Sequence, residues 1–105
     1  MTRLTIESGI CGFTTKVTAN LKEGGKDVSI AMESGCEMVE AMAGELKEAS
    51  KMSVFTGFLT NPVYKAAARH LKHTACPVPS GIIKAMEVEA GFCLPRDVSI
   101  IFERQ

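Results

Sequence analysis

The chain has 105 residues, 46% of them hydrophobic and 23% charged, with twelve Lys+Arg balanced by twelve Asp+Glu. That length supports one domain, residues 1–105, around a single core. The charge balance argues against nucleic acid as the main partner, because no basic excess exists to gather phosphates.

The first third alternates with period two. Leu4 and Ile6 alternate with Thr5 and Glu7; Phe13, Thr15, Val17 and Ala19 with Thr14, Lys16 and Thr18; Val28, Ile30 and Met32 with Asp27, Ser29 and Glu33. This predicts three strands, each with one buried face. Lys22-Glu23-Gly24-Gly25-Lys26 reads as the turn between the second and third. The period then changes to helical. Ser34 with Glu37 three residues on is a capping-box pattern, and Met38, Val39, Met42, Leu46 and Ala49 follow at helical spacing. Gly44 costs this helix about 1 kcal/mol relative to Ala, which close packing would explain. Residues 50–60 read as a packed loop.

Asn61-Pro62 predicts the start of a second helix carrying Val63, Tyr64, Ala67, Ala68 and Leu71. Pro77 and Pro79 forbid its continuation. Ser80 is the expected cap of a third helix with Ile82, Ile83, Met86 and Ala90, and Gly91 its stop. After Pro95, the alternation of Val98, Ile100 and Phe102 predicts a closing strand. The expected order is β-β-β-α-α-α-β: an α+β domain of two layers, a mostly antiparallel sheet with helices on one face.

Three of the four cysteines fall on turns between these elements. Cys11 lies between the first two strands, Cys36 where the third strand meets the first helix, and Cys76 between the second and third helices. A cysteine that only fills a core usually lies inside an element. Short connections make successive elements antiparallel. Parity then carries Cys11, Cys36 and Cys76 to one end of the domain and Cys93 to the other, provided that residues 50–60 add no crossing element. Cys93, beside Phe92 and Leu94, reads as core filler.

A thiol at a helix start is favoured as thiolate by the helix dipole. Gly9, Gly12 and Gly35 would let the backbone approach a bound centre. His73 near Cys76 is the candidate fourth ligand, which would complete a Cys3His set of the kind found around zinc. Alternatively, His70 and His73 simply suit the negative end of the second helix. The N-terminal residues Met1–Glu7 contain no apolar signal-peptide core, and no apolar run approaches the roughly 20 residues of a bilayer span. A cytoplasmic protein with reduced thiols and no membrane partner is therefore expected. Zero net charge leaves homo-oligomerisation open.

Cys11-Gly12, two strands, Gly35-Cys36 opening a helix and a third cysteine in a later helix–helix turn resemble the U-type iron–sulfur cluster scaffold proteins, the NifU/IscU-like family. Cys11 and Cys36 stand 25 residues apart and Cys36 and Cys76 stand 40 apart, close to that family's spacing. The resemblance is carried mainly by residues 10–50. It implies an α+β fold and an iron–sulfur cluster, or zinc in its place, held by Cys11, Cys36 and Cys76, with Gly12, Phe13 and Gly35 around it. It also implies a sulfur donor and client apoproteins as partners. The pattern departs from the family at Phe13, where an Asp is usual, and at Ala75, where a His is usual. The Leu-Pro-Pro-Val-Lys motif is missing, and the expected closing strand stands where the family has a helix.

The sequence reading is thus a small metal- or cluster-binding protein. The rivals are a thiol enzyme or redox relay with Cys36 as nucleophile, and an interaction module whose cysteines are incidental.

Overall fold

A computed structural model describes residues 1–104. The three alternating runs form β1 (Thr2–Glu7), β2 (Thr14–Leu21) and β3 (Asp27–Ser34). They pair antiparallel in chain order, with Leu4 opposite Val17 and Val17 opposite Met32. Pleating then sends Ile6, Val17, Ala19, Val28, Ile30 and Met32 to one buried face, while Arg3, Thr5, Lys16 and Glu33 stay exposed on the other. Helices α1 (Glu37–Glu45), α2 (Pro62–His70) and α3 (Val78–Glu89) supply the rest of the core. Val39, Met42 and Leu46, Val63 and Ala66, and Val78, Ile82 and Met86 are all buried. Among the described residues the domain is α+β, a four-stranded antiparallel sheet with three helices.

The fourth strand does not come from the expected segment. Strand β4 (Glu48–Ser50) follows α1 and pairs with Asp27–Ser29 of β3, and a 3-10 turn spans Lys51–Phe55. Val98, Ile100 and Phe102 form no strand, and residues 91–104 are exposed throughout. The order is therefore β-β-β-α-β-α-α. Period-two alternation makes a segment fit to be a strand but does not supply a neighbour. Here β4 takes the place beside β3, and α1 ends early to release it. Leu46 N–H turns back to Met42 O at 2.8 Å, and Ile30 N–H donates to Lys47 O at 2.8 Å, so pairing with β3 begins where helix was expected.

Both helix starts that flank the cysteines also shift. Ser34 remains in the β3 ladder opposite Thr15, so it cannot adopt the cap position, and Cys36 occupies it instead. Ser34 still serves the corner. Its Oγ accepts from Cys36 N–H at 3.1 Å and from Thr15 Oγ at 2.9 Å, and its N–H donates to Glu40 Oε1 at 3.0 Å. Likewise α3 begins at Val78 with Pro77 at its cap, not at Ser80. Proline is tolerated in a first turn because its missing N–H would have had no helical acceptor. At α2 the expected start holds. Asn61 Oδ1 accepts from Val63 N–H at 2.9 Å and Tyr64 N–H at 3.3 Å, and its Nδ2 donates to Ser53 O at 2.9 Å.

Glycine packing is the reverse of the expectation. A Cβ at Gly44 would meet nothing within 4 Å, whereas one at Gly81 would lie 2.4 Å from Ile6 Cδ1 and 2.9 Å from Ile6 Cγ1. Gly81 thus sets how closely α3 lies on β1. The far end of α3 is fixed by Glu89, which accepts from Thr2 Oγ at 2.8 Å and Leu21 N–H at 2.8 Å. Those bonds, that of Leu21 first, hold its carboxyl below the usual range. Helix α3 therefore runs opposite to β1, and its first turn lies at the Glu7 end of that strand.

Candidate functional site

At that end three connections meet. The β1–β2 connection is a tight loop in which Ser8 N–H donates to Phe13 O at 3.2 Å and Gly12 N–H to Gly9 O at 2.9 Å. Gly9 (φ 88°) and Gly12 (φ 77°) both take the left-handed conformation the loop needs. This places Cys11 on the loop's exposed crest. Cys36, half-buried, caps α1. Cys76, also half-buried, closes a turn in which its N–H donates to His73 O at 3.0 Å, immediately before α3.

The parity expectation holds because β4 is only three residues long and stays at the Asp27 end of β3. Its route differs in one respect. The last turn of α2 lies against the last turn of α1, where Arg69 and His70 engage Glu45. Helix α2 thus does not retrace α1 to its start, and Leu71–Pro77 carries the chain the remaining distance.

Cys11, Cys36, Cys76 and His73 all line one cavity of about 210 Å³. Its wall is otherwise mainly apolar: Ile10 and Phe13 from the β1–β2 loop, Met38 and Val39 from α1, and Leu71, Ala75 and Pro77 from the α2–α3 connection, with Ser8 and Thr15. No Asp, Glu, Lys or Arg is among the lining residues. Phe13 is 42% exposed. Gly12 and Gly35, expected to approach a bound group, are not among the cavity's lining residues. Gly35 instead seats the Phe13 ring, since a Cβ there would lie 3.1 Å from Phe13 Cδ1.

Among the described residues, no three His, Cys, Asp or Glu side chains are grouped tightly enough to hold a single metal ion. The cysteines share a cavity without closing on one point. Cys93 is exposed instead of buried as core filler. It lies beyond α3 at the opposite end, past the Glu89–Thr2 contact. His70 is held at the other end of the α1–α2 contact, its Nε2 2.8 Å from Glu45 Oε1. Arg69 and His70 together pull the Glu45 carboxyl down to about 2.

The two helix starts at the cavity were not legible as a pair in the sequence. Neither α1, capped by Cys36, nor α3, capped by Pro77, has a side-chain acceptor on its first-turn N–H groups. The start of α3 therefore brings partial positive charge to the side of the domain that carries the thiols, whereas Glu37 and Glu40 in the first turn of α1 counter it there. The apolar wall was missed too, although most of it consists of sequence neighbours of the three cysteines.

These features define a two-layer α+β domain with a thiol-lined, largely apolar cavity at one end of its sheet. Residues 2–102 match the model described as "Family of unknown function (DUF6951)", and the chain belongs to that family. Neither curated proteins nor solved structures gave a match. Among the described residues no helix is long and apolar enough to cross a membrane.

Proposed function

We propose that this cavity binds an iron–sulfur cluster through Cys11, Cys36 and Cys76, with His73 as candidate fourth ligand. The observation that carries the reading is the convergence of three thiols from three separate connections on one cavity. Thiolates are soft ligands and select iron–sulfur, zinc or copper(I) centres over hard cations. Of the two centres expected from the sequence, the resemblance to the U-type scaffolds favours the cluster. A tetrahedral zinc with Zn–S of about 2.3 Å draws its sulfurs to within about 3.8 Å of one another. A cluster spreads its ligands over several iron atoms. The start of α3, with no acidic side chain in its first turn, offsets part of the negative charge that thiolate ligation brings. Val39, Met38 and Leu71 give the inner side of the cavity an apolar lining, which would slow the loss of such a centre. The resemblance to the U-type scaffolds supports the same three cysteines, and in that role the cluster is cargo passed to client apoproteins.

The test is anaerobic purification followed by iron, zinc and acid-labile sulfide analysis and an absorption spectrum. Iron and sulfide are expected in wild type. Each should fall sharply in Cys11→Ser, Cys36→Ser and Cys76→Ser but persist in Cys93→Ser. Zinc without sulfide would replace the cluster by a single ion. Absence of both, before and after reconstitution, would overturn the reading and leave thiol chemistry at Cys36 as its successor.

A further inference from the structure

We propose that the C-terminal tail of one molecule adds to β1 of a second copy of this chain as an antiparallel edge strand, joining the two as a reciprocal dimer. Two unsatisfied features of the molecule call for a partner. Among the described residues β1 has a neighbour on one side only in the sheet order β1-β2-β3-β4, so one side of its backbone offers an open row of hydrogen-bonding groups. The tail after α3 is the second. Leu94 is 82% exposed, Ile100 86% and Phe102 92%. Single exposed apolar residues are ordinary, but a strand-patterned run of them is not. The family match extends through residue 102, so the tail as far as Phe102 belongs to the shared domain.

The two features fit each other in one register. Antiparallel pairing with Phe102 opposite Leu4 puts Ile100 opposite Ile6, Ile101 opposite Thr5 and Glu103 opposite Arg3. The apolar side of the tail then extends the buried face of the sheet where Leu4 and Ile6 already approach Gly81 of α3, and opposite charges meet on the exposed face. Parallel pairing with Ile100 and Phe102 beside Leu4 and Ile6 would instead set Glu103 against Glu7. A molecule's own tail is poorly placed to fill its own edge. Phe92 stacks on Phe55 with ring centroids 4.9 Å apart, which holds the root of the tail beside the turn that follows β4. The tail also leaves α3 at the Thr2 end, from which it could meet its own β1 only in parallel. A second copy has neither constraint, and two-fold exchange closes the assembly with two identical contacts.

The test uses the full chain under reducing conditions, so that Cys93 cannot form intermolecular disulfides. Sedimentation equilibrium from micromolar to millimolar concentration should show a reversible monomer–dimer equilibrium. Ile100→Asp/Phe102→Asp, in a segment with no part in the monomer's core, should weaken it at least a hundredfold. Arg3→Glu should weaken it a few-fold, and Arg3→Glu/Glu103→Arg should restore it. Hydrogen exchange should show alternate amides of Thr2–Glu7 gaining protection as concentration rises, in wild type but not in the double-Asp variant. A monomer at every concentration would overturn the proposal. So would a dimer that survives Ile100→Asp/Phe102→Asp, which would implicate another surface, or β1 protection independent of concentration, which would mean pairing within one chain.

Discussion

The same substitution at two helical glycines should have different effects. Gly44 and Gly81 both lie inside helices, α1 and α3, and neither takes a positive φ. Replacing either by Ala gains about 1 kcal/mol of helix propensity and unfolded-state entropy. At Gly44 nothing opposes this gain, because the new methyl meets no atom within 4 Å. Gly44→Ala should therefore stabilise by about 1 kcal/mol, or roughly 4–8 °C in Tm for a domain of this size. At Gly81 the methyl would sit 2.4 Å from Ile6 Cδ1 and 2.9 Å from Cγ1, well inside contact distance. Overpacking of this kind costs about 1–3 kcal/mol, so the net effect should range from neutral to a loss of about 2 kcal/mol. Urea unfolding followed by circular dichroism measures both. Ile6→Val removes the Cδ1 atom, so the penalty of Gly81→Ala should shrink in that background, and the double-mutant cycle should show coupling. If Gly81→Ala stabilised as much as Gly44→Ala, α3 would not be in tight contact with β1. The close seating that brings Cys76 over the β1–β2 loop would then lose its explanation.

Asn61→Ala should be among the most damaging single changes. The side chain is only 2% exposed and makes three hydrogen bonds that fix both α2 and the 3-10 turn. A loss of about 2–3 kcal/mol follows from removing a cap and leaving Ser53 O without its donor, and denaturant titration measures it. Acid should release the clamp between α1 and α2. The folded-state value of Glu45 is lowered from 4.5 to about 2, so its contribution is present above its unfolded value and is lost as pH falls from about 4.5 to about 2. Glu45→Gln should flatten the acid limb of a stability–pH profile over that window, and an unchanged limb would show that the carboxylate is not coupled to folding. At the cavity, Phe13→Asp should speed loss of a bound centre to a chelator, because it replaces an apolar wall with a hydrated oxygen donor. Equal decay in the two proteins would mean that Phe13 does not shield the site.

Much of the layer plan could be read from the chain. Alternation at Val17 and Ala19 and at Val28, Ile30 and Met32 marks a buried face wherever a sheet has one wet side. Asn61-Pro62 marks a helix start because its chemistry is local. The end of the domain at which Cys11, Cys36 and Cys76 gather was legible too, since short connections leave few alternatives to antiparallel neighbours. The tertiary structure decided the rest. Val98, Ile100 and Phe102 alternate as well as any strand, yet pairing depends on which edge is open and in reach, and β4 occupies the edge beside β3. Ser34 carries a cap signature, but its place in the β3 ladder passes the cap to Cys36. Gly44 and Gly81 look alike in sequence, and only the approach of Ile6 separates them. Cys93 has apolar neighbours in the chain but remains exposed, because burial is a property of what packs around a residue and not of what precedes it. Local signals fix what a segment can become, and its neighbours in space fix what it does become.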